Sequence, residues 1–310
     1  MTNTTRGSPT DLAPAVGRPV THASPLVRVD VSAETHRGHV RPNNEDQFFV
    51  TKLTRTLETV LTSLGRGDLP ERAEEVNYVM VVADGMGGHA SGEVASRMAI
   101  SALVSLALDV PDWFFRLDKA RAPEIERRAR ELVQRIASDI TEMGQRHLAL
   151  HGMGTTLTAA RSLGRDLMIV HAGDSRAYVL RGGRLHRLTK DHTYAQLLVD
   201  AGHLSPRDAA DSGVRHILTN VLGGSDEHVE VDVDLLRLDD GDRVLLCTDG
   251  LTDRVDDESL ARILSGARSA KEDCAELVQL ALDRGGRDNI TVIVAAYAIA
   301  DDTQTAPGLA

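Results

Sequence analysis

YVMVVADGMGGHASGE, residues 78–93, begins as a short, nearly continuous apolar run and closes on an aspartate followed by glycine. A run this brief and this apolar suits a β-strand buried on both faces. Downstream, Val94, Ala95, Met98, Ala99, Ala102, Leu103 and Leu106 repeat with a period near 3.6, as do Ile125, Ala129, Leu132, Val133, Ile136, Ile140 and Met143. Both stretches predict amphipathic helices laid on a sheet, with the basic run IERRARELVQR on the solvated face of the second. WFF at 113–115 is the densest aromatic cluster and reads as core packing. Upstream, VRVDVSAET alternates from Val27 as a strand does, and QFFV at 47–50 predicts another. The polar stretch 52–75, which contains GRGDLP, reads as an extended loop or a partly helical insertion.

After Gly152 the pattern changes. TTLTAAR, DLMIVHAG, AYVLRG and RLHRL read as successive strands joined by turns such as Arg181-Gly182-Gly183. The segment 191–228 is polar with short helical pieces, including TYAQLLVDAG. VEVDVDLL and DRVLLCTD are strand-like again, ESLARILSG and the run around Leu277, Val278, Ala281 and Leu282 are helical, and NITVIVAAYAI closes as a strand. Strands arrive in two batches, and most links are too short for parallel crossovers. That pattern predicts antiparallel sheets covered by helices, an α+β layered sandwich.

Composition narrows the function. The 310 residues are 42% hydrophobic but only 3% aromatic, so the core is aliphatic. Lys and Arg total 35 against 46 Asp and Glu, a net charge of −11. That excludes duplex nucleic acid as the main partner, and a phosphate-handling site would need local cations to reverse the overall field. Cys247 and Cys274 are too few for a disulfide framework and fit a reducing compartment. No apolar run approaches the roughly 18–20 residues that span a bilayer. The amino terminus, MTNTTRGSPTDLAPAVGRPV, carries no secretory signal. The reading is a cytoplasmic, monomeric chain that uses neither membrane nor nucleic acid. A disordered tail is expected at 1–26, a catalytic domain at 27–300 and a short tail at 301–310.

The aspartates carry the chemistry. VMVVA runs into Asp84-Gly85, RVLLCT into Asp249-Gly250 and LMIVHAG into Asp174, while Asp288-Asn289 immediately precedes ITVIVAAY. In an antiparallel sheet the start of one strand lies beside the end of its neighbours, so these carboxylates can gather on one rim. Gathered carboxylates raise each other's pKa unless a cation neutralises them. A donor set of hard oxygens points to Mg²⁺ or Mn²⁺ rather than zinc or copper. One Asp-Gly is an ordinary turn; two, each closing a buried strand, form a pattern. The bare backbone of Gly85 would let a carbonyl approach an ion closely.

RGHVRPNNED at 37–46, DGMGGHASGE at 84–93, GMGTTLTA at 152–159, HAGDSRAY at 171–178, CTDGLTD at 247–253 and GGRDNITVIV at 285–294 follow one another over residues 28–298. On these six elements the chain resembles the metal-dependent type 2C (PPM) protein serine/threonine phosphatases, in particular the bacterial branch. The resemblance implies a four-layer α-β-β-α sandwich and hydrolysis of phosphoserine and phosphothreonine by a water bridging two Mg²⁺ or Mn²⁺ ions. It implies that Asp84 bridges the metals with the Gly85 carbonyl on one of them, and that Asp249 and Asp288 hold the other. Glu45 and Asp46 would orient waters of the site or ligate directly, and Asn289 would support it from behind. Asp174 would join Asp249 around a third metal, and Arg41 would bind the phosphate, for which a planar guanidinium is suited. The substrates would be phosphoproteins, with a Ser/Thr kinase and its targets as partners.

Two departures stand out. Eukaryotic relatives carry a histidine after the Asp-Gly as proposed general acid, where this chain has Met86, a change many bacterial members share. His89 reads as a turn residue. The second departure is the polar insertion at 52–75, to which the sequence assigns no role, and 191–225 corresponds to the flap beside the active site. His171, His186, His192, His203 and His216 show no metal-ligand spacing with one another, and the pairs at 239–240 and 256–257 read as a turn and a helix start. The alternative function is a catalytically silent, phosphoprotein-binding regulator of the same fold, which would be expected to lack one of the metal aspartates or the arginine. A structural Ca²⁺ site is disfavoured because no regularly spaced Ca²⁺ loop is present.

Overall fold

The apolar run that closes on Asp84 feeds two different cores. The computed structural model describes residues 27–65, 68–69, 71–87, 91–109, 122–210, 212–224 and 228–300. Strand β3 (Arg72–Ala83) sends Val79 and Val81 into one apolar cluster and Met80 and Val82 into another. Its inner half therefore shows no polar alternation. β3 sits in a five-stranded sheet ordered β11 (Asp232–Arg237), β7 (Asp166–Ala172), β6 (Leu157–Leu163), β3 and β2 (Gln47–Glu58). A second sheet is ordered β1 (Val27–His36), β13 (Ile290–Ile299), β12 (Arg243–Cys247), β8 (Arg176–Arg181) and β9 (Arg184–Arg187). A small third sheet joins β10 (Leu222–Gly223), β5 (Gly154–Thr155) and β4 (Gly85–Met86). All pairings are antiparallel, as the short connections require.

The second sheet divides its side chains in the same way. Ile290, Val292 and Val294 of β13 pack with helices α6 (Asp257–Leu264) and α7 (Ala270–Asp283), while Ile293, Ala295 and Tyr297 face the first sheet. On the far side of the first sheet lie α1 (Ser91–Asp109) and α2 (Ala122–Arg146), through Ala95, Ala99, Ile125, Ala129, Val133, Ile136 and Ile140. The layers thus run helix, sheet, sheet, helix, the expected four-layer α-β-β-α sandwich. Each large aliphatic side chain so buried contributes roughly 1.5–3 kcal/mol. The exposed face of α2 carries ion pairs such as Arg127–Glu131 and Arg128–Glu124, each worth only about 0.3–0.5 kcal/mol. Burial of the apolar stripe, not surface pairing, holds α2 in place.

Helix starts follow local chemistry. Asp256 caps α6 by accepting from the Ser259 amide at 2.8 Å, in line with the helix start expected at 256–257. Ser269 and Glu272 form a reciprocal capping box on α7. The segment 191–225 holds two short helices, α3 (Tyr194–Asp200) and α4 (Pro206–Ala210), and RVLLCT is followed at once by α5 (Asp249–Thr252).

One expectation fails. Both ends of the stretch 52–75 are strand: residues 52–58 and 72–75 belong to β2 and β3, which pair continuously from Gln47 opposite Ala83 out to Glu58 opposite Arg72. β6 pairs with β3 only between Asn77 and Val82. Beyond that point the hairpin is a two-stranded ribbon with both faces toward solvent, so its residues carry no apolar alternation to betray it. The tails at 1–26 and 301–310, the aromatic cluster at 113–115, His89 and the side chain of Leu106 lie outside the described residues.

Candidate metal centre and phosphate cleft

Strand direction gathers the aspartates. β3 and β7 both run antiparallel to β6, so they end on the same rim, and Asp84 and Asp174 follow them. In the facing sheet β12 ends beside the start of β13, with Cys247 opposite Val292, which brings Asp249 to Asp288. β1 ends opposite the start of β13, and β2 starts opposite the end of β3, so the loop 37–46 crosses between the sheets at this same end. Arg41, Glu45, Asp84, Gly85, Asp174, Asp249, Asp288 and Asn289 accordingly line one cleft of ≈ 650 Å³. Asp46 is buried outside that lining, where its Oδ2 accepts from Thr248 Oγ1 at 2.8 Å.

Backbone contacts hold the frame without using the carboxylates. The Asp84 amide donates to Thr156 Oγ1 at 3.0 Å, and its carbonyl accepts from the Thr156 amide and Thr155 Oγ1, each at 2.9 Å. Asn289 ties down the loop that carries Arg41 and Glu45. Its Oδ1 accepts from the Glu45 amide at 2.7 Å, and its Nδ2 donates to the carbonyls of Arg37 and Asn43 at 2.9 and 2.8 Å. Glu45 is fixed further by Ser96 Oγ, which donates to its carbonyl at 2.7 Å.

The two Asp-Gly glycines are demanded by packing. A Cβ on Gly85 would stand 2.1 Å from the Gly92 carbonyl oxygen in the first turn of α1, and one on Gly250 would stand 1.8 Å from that of Asn289. Neither backbone neighbour can yield without moving the site. Gly250→Ala is therefore expected to lower unfolding stability by about 1–3 kcal/mol. Its denaturation midpoint should fall with the slope unchanged, and a midpoint equal to wild type would refute the packing argument.

The electrostatics are those of a site built around cations. Burial pushes the Asp84 and Asp249 carboxyls well above the ordinary range, and mutual repulsion with Asp46, Asp174 and Asp288 adds to it. Burial also raises Asp174 to about 7, with Asp191 contributing. Asp46 rises to about 7 by burial, partly offset by hydrogen bonds from Thr248 and Thr291. Its second oxygen, Oδ1, is buried with no hydrogen-bond partner. Arg41 compensates in part, its Nη2 donating to Asp288 Oδ2 at 2.6 Å. An all-oxygen, mutually repelling, desolvated donor set with an orphaned carboxylate oxygen fits hard divalent cations.

Other groups reach the site unannounced. His216, on the 191–225 segment, lies with Nδ1 3.9 Å from Asp249 Oδ2 and Nε2 3.6 Å from Asp253 Oδ2. Arg215 also faces Asp253, at 3.5 Å. His216, Asp249 and Asp253 place donor atoms within 4.8 Å of one another, so His216 keeps carboxylates for company rather than other histidines. Asp253 lies four residues after Asp249, a helical i,i+4 spacing that could have flagged it; nothing local could have flagged His216. Thr248 likewise escaped notice. Met86 lines the cleft where a proton donor was sought, and a thioether has no proton to give.

Known proteins place this arrangement. A family model described as Protein phosphatase 2C matches residues 71–283. The serine/threonine protein phosphatase PstP of Mycobacterium tuberculosis is 38% identical over 281 residues, 90% of this chain and 47% of PstP, so the chain spans about half the length of that curated relative. The serine/threonine phosphatase stp of Listeria monocytogenes is 34% identical over 260 residues, 84% of this chain and 92% of stp. A solved structure of the PstP catalytic domain in complex with two manganese ions matches with a TM-score of 0.67 at 36% identity, over 88% of this chain and 99% of that one. The matched residues and the shared fold show it: the chain belongs to the protein phosphatase 2C family.

Proposed function

We propose that this chain hydrolyses phosphoserine and phosphothreonine in proteins, using a pair of Mn²⁺ or Mg²⁺ ions. The observation that carries the reading is the convergence of Asp84, Asp249, Asp288 and Arg41, from four separate segments, on one cleft. Asp84, the Gly85 carbonyl, Asp249 and Asp288 would hold these ions. Asp174 and Asp249 offer a third position, beside His216 and Asp253. When bound, such ions supply charge neutralisation for the phosphoryl group and lower the pKa of a water to make it nucleophilic near neutral pH. Arg41, paired with Asp288 in this structure, turns its planar fork to the phosphate oxygens of the substrate. Glu45 and Asp46 orient water, and Asn289 keeps the Arg41 loop in register. The serine or threonine oxygen takes its proton from water, since Met86 has none. The substrates are products of a Ser/Thr kinase, and the chain works as a monomer in the cytoplasm. No helix among the described residues is long and apolar enough to cross a membrane.

The test is hydrolysis of a small aryl phosphate and a phosphothreonine peptide with Mn²⁺, Mg²⁺, Ca²⁺ or chelator. Turnover with Mn²⁺ that vanishes in chelator and in Asp249→Ala is the expected result. Mn²⁺ binding without turnover of either substrate would shift the assignment to a phosphoprotein-binding regulator.

A further inference from the structure

The cleft is larger than a phosphoryl group requires, and its lining includes two arginines that the proposed chemistry leaves unused. Arg254 and Arg287 both line the ≈ 650 Å³ space that holds the aspartates. Arg254 is half-buried and Arg287 exposed. Among the described residues neither forms an ion pair, whereas the arginines around them do: Arg41 with Asp288, Arg215 with Asp253, Arg284 with Asp256.

The two stand on segments packed against each other. Gly250 lies in such close contact with the Asn289 carbonyl that a Cβ would overlap it. Arg254 follows Gly250 by four residues, and Arg287 precedes Asn289 by two. Arg284 braces the pair of segments, its Nη1 donating to the Arg254 carbonyl and to Asp256 Oδ2, both at 2.9 Å. The Arg254 amide is bonded back to the Leu251 carbonyl at 3.0 Å, and the Gly286 carbonyl accepts from the His39 amide. Two cations are thus presented from a fixed backbone, in the same cleft as the carboxylates that would hold the metals. In a chain of net charge −11, an anionic substrate needs such local cations to enter at all.

We propose that Arg254 and Arg287 form a second anion subsite that reads an anionic side chain, phosphoryl or carboxylate, close in sequence to the phosphoresidue being hydrolysed. The inference rests on the phosphatase reading above and extends it to specificity: the preferred substrates are phosphoproteins with clustered negative charge. Two guanidiniums can share a phosphoryl group through paired, charge-assisted hydrogen bonds, which a carboxylate repeats with one oxygen fewer. At a half-exposed site this is worth about tenfold in kcat/KM for a second phosphoryl group and about threefold for a carboxylate, expressed in KM.

The experiment compares phosphothreonine peptides that differ only two residues before or after the phosphothreonine, carrying there alanine, glutamate or a non-hydrolysable phosphonate residue. Steady-state rates are measured in saturating Mn²⁺ for the wild type and for the Arg254→Ala/Arg287→Ala variant. The wild type should favour the phosphonate peptide about tenfold over the alanine peptide, with glutamate between them, and the variant should bring both ratios to within twofold of one. Taking ratios within each enzyme cancels any common effect of Arg287→Ala on the adjacent Asp288, and a thermal melt in Mn²⁺ checks that the variant is folded. Equal rates for all peptides in the wild type, or a preference that survives in the variant, would overturn the subsite while leaving the phosphatase intact. Failure to hydrolyse any of the peptides would instead bring down the phosphatase reading on which it stands.

Discussion

Replacing Asp84 with alanine is expected to reduce kcat/KM for a phosphothreonine peptide by at least about 10³-fold, equivalent to about 4 kcal/mol of transition-state stabilisation, while leaving the fold intact. Asp84 feels the charges of Asp46, Asp249, Asp174 and Asp288 together, as Asp249 feels those of Asp174, Asp253, Asp288 and Asp46, so both lie within the repelling group. On the proposed reading, removing it takes away a carboxylate that would hold the cations. Its local backbone does not depend on the side chain, because Thr155 and Thr156 hold the Asp84 amide and carbonyl. In chelator the variant should melt no lower than the wild type, since a buried and repelled acid has been removed. Asp84→Asn, which keeps the shape, should behave alike. The checks are steady-state turnover, Mn²⁺ titration by calorimetry, and melting in chelator. Unfolding of both variants would show a structural rather than catalytic metal, and turnover within tenfold of wild type would remove Asp84 from the centre.

Metal removal is expected to destabilise the protein more at pH 8 than at pH 5. Asp46 and Asp174 rise from the ordinary 3.8 to about 7 in the fold, chiefly by burial. Across that interval each holds a proton when folded that it releases on unfolding, so stability from this source is present at low pH and declines as pH rises toward 7. Above pH 7 the metal-free rim carries uncompensated carboxylates. Divalent cations bind the ionised form and reverse the trend, and their apparent affinity climbs with pH as protons cease to compete. Melting temperatures in Mn²⁺ and in chelator, measured from pH 5 to 8, should therefore diverge as pH increases. A gap that is constant or narrows would mean that the carboxylates are already ionised in the metal-free fold.

Much of this molecule is legible one segment at a time. Residues 79–82, 244–247 and 292–295 are apolar at successive positions because each strand is covered on both faces, by helices outside and by the other sheet inside. Their boundaries are marked by Asp84, Asp249 and Asp288, carboxylates that lie in the cleft at the rim rather than between the covered faces. Short connections dictated antiparallel pairing, and pairing direction then placed those ends together. The 52–75 hairpin escaped for the converse reason: a ribbon wetted on both sides has no apolar period.

Sequence alone therefore determined the layered sandwich and the rim of aspartates, because burial and strand termination leave local marks, while the arginine of the 37–46 loop was marked by the family resemblance alone. Tertiary structure alone decided what meets across long separations. Thr248 reaches Asp46 from 202 residues away. Asn289 secures the Glu45 amide from 244. His216 folds back onto Asp249 and Asp253, and Arg254 comes to share a wall with Arg287. Apart from Asn289, which the family motif singles out, none of these side chains differs, in its own neighbourhood, from an ordinary surface residue. Their roles come from the packing of two sheets that brings distant loops to one end, and packing is a property of the whole chain rather than of any window within it.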